Sequence, residues 1–166
     1  SPYGIGTLGK TAYDWINFLK ESGQSWWQIL PLGPTSYGDS PYQSFSSAAG
    51  NPYLIDLDML IEEGLLEKKD LSGINWGENP ERVDYGAIFN SRFSVLHKAY
   101  LKGKDTMKEE FEDFREENEE WVEDYALFMS LKKHFDMKSW LDWPDEKARK
   151  RDEDALKSYR EALSDD

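Results

Sequence analysis

Cysteine is absent from the 166 residues of this sequence, and histidine occurs only twice, at His97 and His134. Without cysteine the chain can form neither a disulfide nor a thiolate metal site, which favours a reducing compartment and predicts a cytoplasmic location. The two histidines are far apart and each falls within a helical pattern, so they indicate neither a catalytic triad nor a metal centre. No apolar run approaches the roughly 18 residues that a membrane span needs. The sequence therefore predicts no role inside a membrane.

Basic residues are the minority among the charged ones. The sequence has 20 Lys and Arg against 33 Asp and Glu, a formal net charge of -13. Binding a phosphate backbone or an anionic membrane needs clustered positive charge, so neither nucleic acid nor a membrane surface is an expected partner. Aromatic residues, in contrast, make up 14% of the chain, with 7 Trp and 9 Tyr. Planar rings edged by polar groups are typical of sugar-binding surfaces.

Charge is unevenly distributed along the chain. The first 58 residues carry seven charged side chains, whereas the last 65 carry 34. The first region is rich in Gly, Pro, Ser and Tyr, which is typical of loops and buried elements, and the second is typical of helices with solvated faces. We therefore expect two regions of different character in a chain that is predominantly helical.

The first region predicts a helix followed by a short strand. Residues 10–21 repeat apolar side chains at helical spacing, and Gly23 is placed to end the helix. Residues 24–31 are aromatic and β-branched and lie between a glycine and a proline, which predicts a buried strand. This order is the repeating unit of a parallel α/β fold, so the predicted fold class is α/β. The loop over residues 31–53 then follows the end of a strand, where ligands bind in such folds.

Helical periodicity continues through the rest of the chain. The predicted helices cover residues 56–66, 89–103, 107–133 and 148–163, with a connector over residues 70–85. In the second of these helices, the apolar face is expected to contain Phe89, Phe93, Leu96 and Tyr100. Most of the second region is therefore predicted to be helix.

The loop is the richest candidate site. It presents Tyr37 and Tyr42 as stacking faces, together with hydroxyls, an amide and the carboxylate of Asp39. An ordered structural loop, with Tyr42 as a core residue and Asp39 as a turn residue, explains the same residues about equally well. Glycosidic chemistry needs two carboxylates, roughly 5–5.5 Å apart for retention or 6.5–9.5 Å for inversion, and the loop offers no second one. A metal-binding pair at Asp56 and Asp58 is the alternative to a helix cap at that place, and the cap is favoured.

Several blocks of the sequence are long enough to compare with known families. They cover residues 1–6, 27–35, 37–46, 50–57, 83–86 and 123–129. Taken in order, they resemble the amino-terminal part of the amylomaltase family, the 4-α-glucanotransferases of glycoside hydrolase family 77 in the α-amylase clan. The resemblance spans nearly the whole chain.

The resemblance implies a fold and an activity. Residues 1–58 would start a catalytic (β/α)8 TIM barrel, with its first helix, its second strand and a substrate-groove loop. Residues 59–166 would be a mostly helical insertion subdomain, truncated at its carboxyl end. The implied activity is transfer of α-1,4-glucan segments between maltooligosaccharides by a retaining double displacement, without a metal or organic cofactor. The family's catalytic carboxylates lie on later barrel strands, so we expect no catalytic residue in this chain and no activity from it alone.

The resemblance also implies roles for individual residues. Tyr42 matches a tyrosine that stacks on the sugar near the cleavage point, and Asp39 and Ser40 match positions that line the same groove. Tyr37 matches an aromatic residue of a second glucan contact, in which Phe89 stands where the family usually has tyrosine.

Two other functional classes fit parts of the sequence. A stand-alone carbohydrate-binding module would use the same exposed aromatic residues, although such modules are usually β-sandwiches. A non-catalytic helical interaction module would explain the charged second region but would leave the loop without a role. In the barrel fragment that the resemblance implies, the single apolar strand 24–31 has no neighbour and would promote self-association of the chain.

Overall fold

A computed structural model of the chain describes residues 1–164, and this part is helical, with no strand. It contains α1 (Lys10–Glu21), α2 (Leu57–Glu62), α3 (Tyr85–Gly103), α4 (Lys108–Glu117), α5 (Val122–His134), α6 (Glu146–Arg149) and α7 (Glu153–Ala162). Short 3-10 helices cover Pro52–Leu54, Lys68–Leu71 and Trp140–Asp142. The predominantly helical character predicted from the sequence is confirmed.

The chain divides into two compact units, Ser1–Phe111 and Glu112–Asp166. The first unit has a core of Leu57, Leu66, Val95 and Ala99, and Tyr3 and Trp76 pack against it. The division predicted from the resemblance, at residues 58 and 59, separates a barrel from an insertion. That division stays a prediction, because compactness does not identify a barrel. No helix within residues 1–164 has both the length and the apolarity to cross a membrane.

Helix α1 forms where its periodicity predicted it. Gly23 ends it in the left-handed region, at a φ of 75°, and its amide donates to the Lys20 carbonyl. The apolar side of the helix is nevertheless uncovered, since Trp15 is 43% exposed and Phe18 is 55% exposed. The two rings stack on each other at a centroid distance of 5.3 Å. This helix therefore presents a largely exposed apolar face.

The prediction of a buried strand over residues 24–31 is wrong. The segment has no regular secondary structure, and Trp26 is 92% exposed and Leu30 58% exposed. A strand is stabilised by a ladder of hydrogen bonds to a neighbouring strand, and none of the described residues supplies that neighbour. The parallel sheet of an α/β fold is therefore not formed by this part of the chain.

Helices α2 and α3 carry the core of the first unit. The carboxylate of Asp56 accepts a hydrogen bond from the Met59 amide at 2.9 Å, so the favoured helix cap is confirmed at that position. Helix α3 starts four residues before Phe89, because Asp84 caps it by accepting from the Ala87 amide at 2.9 Å. It ends at Gly103, as predicted.

The apolar face predicted for α3 is confirmed only in part, since Leu96 packs against the core but its aromatic neighbours do not lie on the buried side. The buried side contains Ile88, Arg92, Val95 and Ala99. The predicted aromatic residues lie beside it and are largely exposed, with Phe89 at 46% and Tyr100 at 56%. Helix α3 is apolar on two faces, and periodicity does not tell which of them the core uses.

Two of the predicted helices are interrupted. The stretch 107–133 breaks between α4 and α5, because the Asn118 side chain donates to the Phe114 carbonyl and accepts from the Trp121 indole. An asparagine that bonds its own backbone in this way competes with helix continuation. The stretch 148–163 breaks between α6 and α7, where Arg151 adopts a φ of 57°. Asp152 then caps α7 by accepting from the Ala155 amide at 3.1 Å.

The second unit has a core of its own. It contains Leu127, Leu131, Phe135, Trp143, Ala148 and Leu156. Trp143 is 3% exposed and lies 5.2 Å from the Phe135 ring and 5.9 Å from that of Phe128. Aromatic packing between the helix ends therefore holds this unit together.

Candidate functional site

The loop over residues 33–50 is closed at its base. The amide of Asn51 donates to the carbonyl of Leu32 at 2.8 Å, which brings the two ends of the loop together. Inside the loop, the Ser36 hydroxyl donates to the Gln43 carbonyl at 3.0 Å. The Gln43 amide in turn donates to the Ser40 carbonyl at 3.1 Å. The loop thus holds its own shape through local hydrogen bonds, as its glycine, proline and serine content favours.

The two tyrosines of the loop project into solvent. Tyr37 is 101% exposed and Tyr42 is 74% exposed. Burial of an aromatic ring is favourable, so two uncovered rings on one ordered loop are available faces for a ligand. The interpretation of Tyr42 as a core residue is therefore wrong.

Tyr42 borders an open cavity of about 590 Å³. The cavity is lined by Pro31, Leu32, Gly33, Pro41, Tyr42, Ser44, Phe45, Ser46 and Ser47. Apolar side chains and serine hydroxyls therefore alternate around the ring of Tyr42. Such a mixture suits a sugar, which has an apolar ring face and hydroxyls at its edge.

Ser40 is half-buried behind this tyrosine. Its hydroxyl oxygen accepts a hydrogen bond from the Tyr42 amide at 3.4 Å, a distance at the long end for such a bond. The serine therefore contacts the backbone of Tyr42, and its place in a sugar-binding groove stays a prediction.

Asp39 lines a second cavity, which shares no lining residue with the cavity at Tyr42. It is half-buried, and it adopts a φ of 56° next to Gly38, whose φ is 91°. A non-glycine residue in the left-handed region is uncommon, although Asp and Asn tolerate it best. The turn is closed by the Asp39 amide, which donates to the Ser36 carbonyl at 3.0 Å. The turn geometry orients this carboxylate, so the turn interpretation and the site interpretation are compatible.

The cavity at Asp39 has a volume of about 550 Å³ and a polar lining. Its walls are Asp39, Asn75, Glu78, Asn79, Arg82, Val83, Asp84, Tyr85 and Gly86. The loop therefore faces the connector before α3 across an open groove. Amide, carboxylate and guanidinium groups all border it, and these are groups that hydrogen-bond hydroxyls.

The charge of Asp39 also reaches a neighbouring tyrosine. Burial raises the pKa of Tyr53, and the negative charge of Asp39 and the proximity of Tyr85 raise it further. Tyr53 is 7% exposed and its ring lies 6.5 Å from that of Tyr85. Tyr85 of the groove lining therefore lies beside a buried tyrosine.

Phe89 does not pair with Tyr37 in this structure. Its ring contacts Phe93 edge-on at 6.2 Å on α3, whereas the Tyr37 ring is fully exposed. The second sugar contact predicted for these two residues therefore stays a prediction.

Sequence reasoning treated the connector before α3 only as a spacer and missed its part in the groove. Its asparagines fold it into turns: the Asn75 side chain accepts from the Gly77 amide, and that of Asn79 accepts from the Glu81 amide, both at 2.9 Å. The signal was the clustering of Asn and Asp around Gly77. Residues of these types order a connector and leave polar groups at its surface.

The described residues contain no group of three or more His, Asp or Glu side chains that could hold a metal ion. Of the carboxylates at the Asp39 groove, that of Asp84 is already engaged as the cap of α3. The geometry therefore supports binding through hydrogen bonds and stacking.

A solved structure matches nearly the whole of this chain. The chain superposes on an amylomaltase from Streptococcus agalactiae, solved in complex with acarbose, with a TM-score of 0.93 and 46% sequence identity. The match covers 99% of this chain and 34% of that protein.

A family model described as 4-alpha-glucanotransferase matches residues 1–166, and this chain belongs to that family. It is 51% identical over 165 residues to a 4-alpha-glucanotransferase from Clostridium butyricum, covering 99% of this chain and 34% of that enzyme. It is 47% identical over 169 residues to one from Thermus thermophilus, covering 99% of this chain and 33% of that enzyme. The chain thus spans about a third of the length of these relatives. The resemblance found in the sequence is confirmed.

Proposed function

We propose that these residues form part of a 4-α-glucanotransferase that moves α-1,4-glucan segments between maltooligosaccharides. The observation that carries the proposal is the structural match over 99% of the chain to an amylomaltase bound to acarbose. The geometry adds an ordered loop with two exposed tyrosines between two open cavities. A carbohydrate-binding role would use the same loop but would not account for a family match over every residue.

Within that enzyme, residues 1–58 supply the start of a (β/α)8 barrel and residues 59–166 a mostly helical insertion. The uncovered apolar residues of α1 and of the segment 24–31 support this arrangement. Strands of a barrel are buried on both faces, so a segment that is apolar and exposed here gains its partners from the rest of the enzyme.

The loop supplies the binding surface of the groove. Tyr42 stacks on a glucose ring near the bond that is cleaved, and Ser40 supports its backbone. Asp39 accepts hydrogen bonds from sugar hydroxyls in the adjoining cavity, and Tyr37 with Phe89 provides a second contact for a longer glucan. The exposure of both tyrosines and the position of Asp39 in a polar groove support these roles.

The chemistry itself belongs to carboxylates outside this chain. In a retaining double displacement, one carboxylate attacks the anomeric carbon while an acid protonates the departing glycosidic oxygen. The 4-hydroxyl of an acceptor glucan then displaces the enzyme carboxylate and gives its proton to the same acid/base residue. This chain contributes by stacking and hydrogen bonding, which orient the glucan for both steps and favour a sugar hydroxyl over water.

The experiment compares the 166-residue chain with the full-length enzyme that carries it, using maltotriose. The full-length enzyme is expected to release glucose and form longer maltooligosaccharides, and the isolated chain is expected to do neither. Glucose release by the isolated chain clearly above the buffer rate would contradict the assignment of the catalytic groups. Absence of transfer by the full-length enzyme would contradict the proposed function. A cytoplasmic location is proposed for the enzyme because the chain has no cysteine.

A further inference from the structure

Arg92 occupies a position in the fold where an apolar residue would be expected. It lies on the buried side of α3, between Ile88 and Val95, and its exposed fraction is 0%. Among the described residues, its Nε and Nη1 groups have no hydrogen-bond partner. Burial lowers the pKa of Arg92, and the charge of Asp56 opposes that effect.

Stability alone does not explain an arginine here. Burying a cation has a large desolvation cost, which a single hydrogen bond and a nearby charge do not offset well. An apolar residue of similar length is often neutral or stabilising at such a position. The side chain therefore has another role, and its one hydrogen bond shows where that role lies.

The Nη2 group of Arg92 bonds the segment that follows the loop 33–50. Its Nη2 donates to the carbonyl of Ile55, which directly follows the 3-10 helix Pro52–Leu54. That helix begins after Asn51, whose amide closes the base of the loop on Leu32. Arg92 is thus linked by one short, ordered segment to the base on which Tyr37 and Tyr42 stand.

Other contacts bring the same segment close to its neighbours. The Tyr53 ring lies 5.7 Å from that of Phe93 on α3. The Leu8 amide donates to the Leu54 carbonyl at 2.9 Å. Ring contacts are weakly directional, whereas a charge-assisted hydrogen bond fixes distance and angle. The arginine is therefore the one side chain of α3 that is shown to bond the backbone of this segment.

We propose that Arg92 is a positioning residue for the glucan groove: it fixes the base of the loop 33–50 so that Tyr42 and Asp39 face the substrate. This inference rests on the proposed transferase function for its kinetic test, but its structural test does not. Arg92 thus acts on substrate binding without contacting the substrate.

The test compares Arg92→Met and Arg92→Lys in the full-length enzyme with the matched variant Lys98→Met. Lys98 is an exposed cation on the same helix, paired with Asp70 at 3.5 Å, and its removal does not touch the loop base. In Arg92→Met we expect KM for maltotriose to rise about tenfold with kcat little changed, since a looser loop weakens binding of the ground state and the transition state alike. Arg92→Lys retains a donor and should recover most of the affinity. Lys98→Met should behave as wild type.

Hydrogen exchange supplies the readout that is independent of activity. In Arg92→Met, amides of the loop 33–50 should exchange about tenfold faster, while the melting temperature stays within about 3 °C of wild type. Unchanged loop exchange or an unchanged KM would overturn the proposal. So would a melting temperature lowered by more than about 5 °C with faster exchange throughout, because Arg92 would then be a general stabiliser. If the wild-type enzyme transfers no glucan, the proposed function fails, and loop exchange still decides the role of Arg92.

Discussion

Trp26 offers a test of how much of this chain's apolar surface is meant for partners outside it. Its side chain is 92% exposed, so replacing it by alanine removes almost no buried area from the isolated chain. Truncating an exposed side chain usually changes the free energy of unfolding by less than about 0.5 kcal/mol. If the segment 24–31 becomes a barrel strand in the full-length enzyme, the same change creates a cavity and costs about 3–5 kcal/mol.

The assay is urea denaturation of Trp26→Ala and wild type in both forms of the protein, followed by circular dichroism. Leu57→Ala is the matched control, because Leu57 is 0% exposed in the isolated chain and its loss should cost about 2–5 kcal/mol in both forms. A loss above about 1 kcal/mol for Trp26→Ala in the isolated chain would refute the observed exposure. No loss in the full-length enzyme would refute the barrel arrangement.

Three further predictions address the site, the open segment and the response to pH. In the full-length enzyme, Tyr42→Ala should lower kcat/KM by an amount equivalent to about 1–3 kcal/mol while Tyr42→Phe keeps most activity, and equal effects of the two in steady-state kinetics would exclude stacking. In a dilute sample of the 166 residues that is monomeric by light scattering, amides of 24–31 should exchange fast. Slow exchange there would contradict an open segment. At higher concentration the uncovered apolar surface should drive self-association. Burial, and then the hydrogen bond to Asp58 at 2.6 Å, raise the pKa of Tyr3 to about 12. The contribution of Tyr3 to the free energy of unfolding should therefore be complete below pH 10 and lost as pH rises from 10 to 12. Tyr3→Phe should flatten that part of a pH-dependent urea unfolding series, and an unchanged slope would show that another group is responsible.

Local signals in the sequence predicted the features that depend on near neighbours. The helix 10–21, its end at Gly23 and the Asp56 cap all follow from residues within one or two turns. The local order of the loop was also predicted, because its turn residues are adjacent in sequence, and its role as a binding site stays a prediction. Such features form by short-range hydrogen bonds and steric preference, which any window of the sequence contains.

Features that depend on distant contacts were predicted less well. The segment 24–31 has the composition of a buried strand, but pairing requires a neighbour that composition does not supply. Helix α3 has two apolar faces, and only tertiary packing selects the one that contains Arg92. The groove at Asp39 needs the connector before α3 to fold back against the loop, across a sequence separation of more than thirty residues. A single asparagine, Asn118, ended a helix that its periodicity would have continued.

The hydrogen bond between Asn51 and Leu32 makes the loop 33–50 a segment that can be replaced as a unit. One backbone hydrogen bond holds the two ends of this loop next to each other, so residues 33–50 resemble an insertion in the chain. Loop closure costs little more for a longer loop than for a shorter one, so changes of length or composition between those two residues leave the surrounding fold largely undisturbed. Under the proposed function, exchanging this loop between relatives would test whether it affects the glucan length that the enzyme prefers. The residues to keep are Asn51 and Leu32, which form the base, and Arg92, which is proposed to fix it.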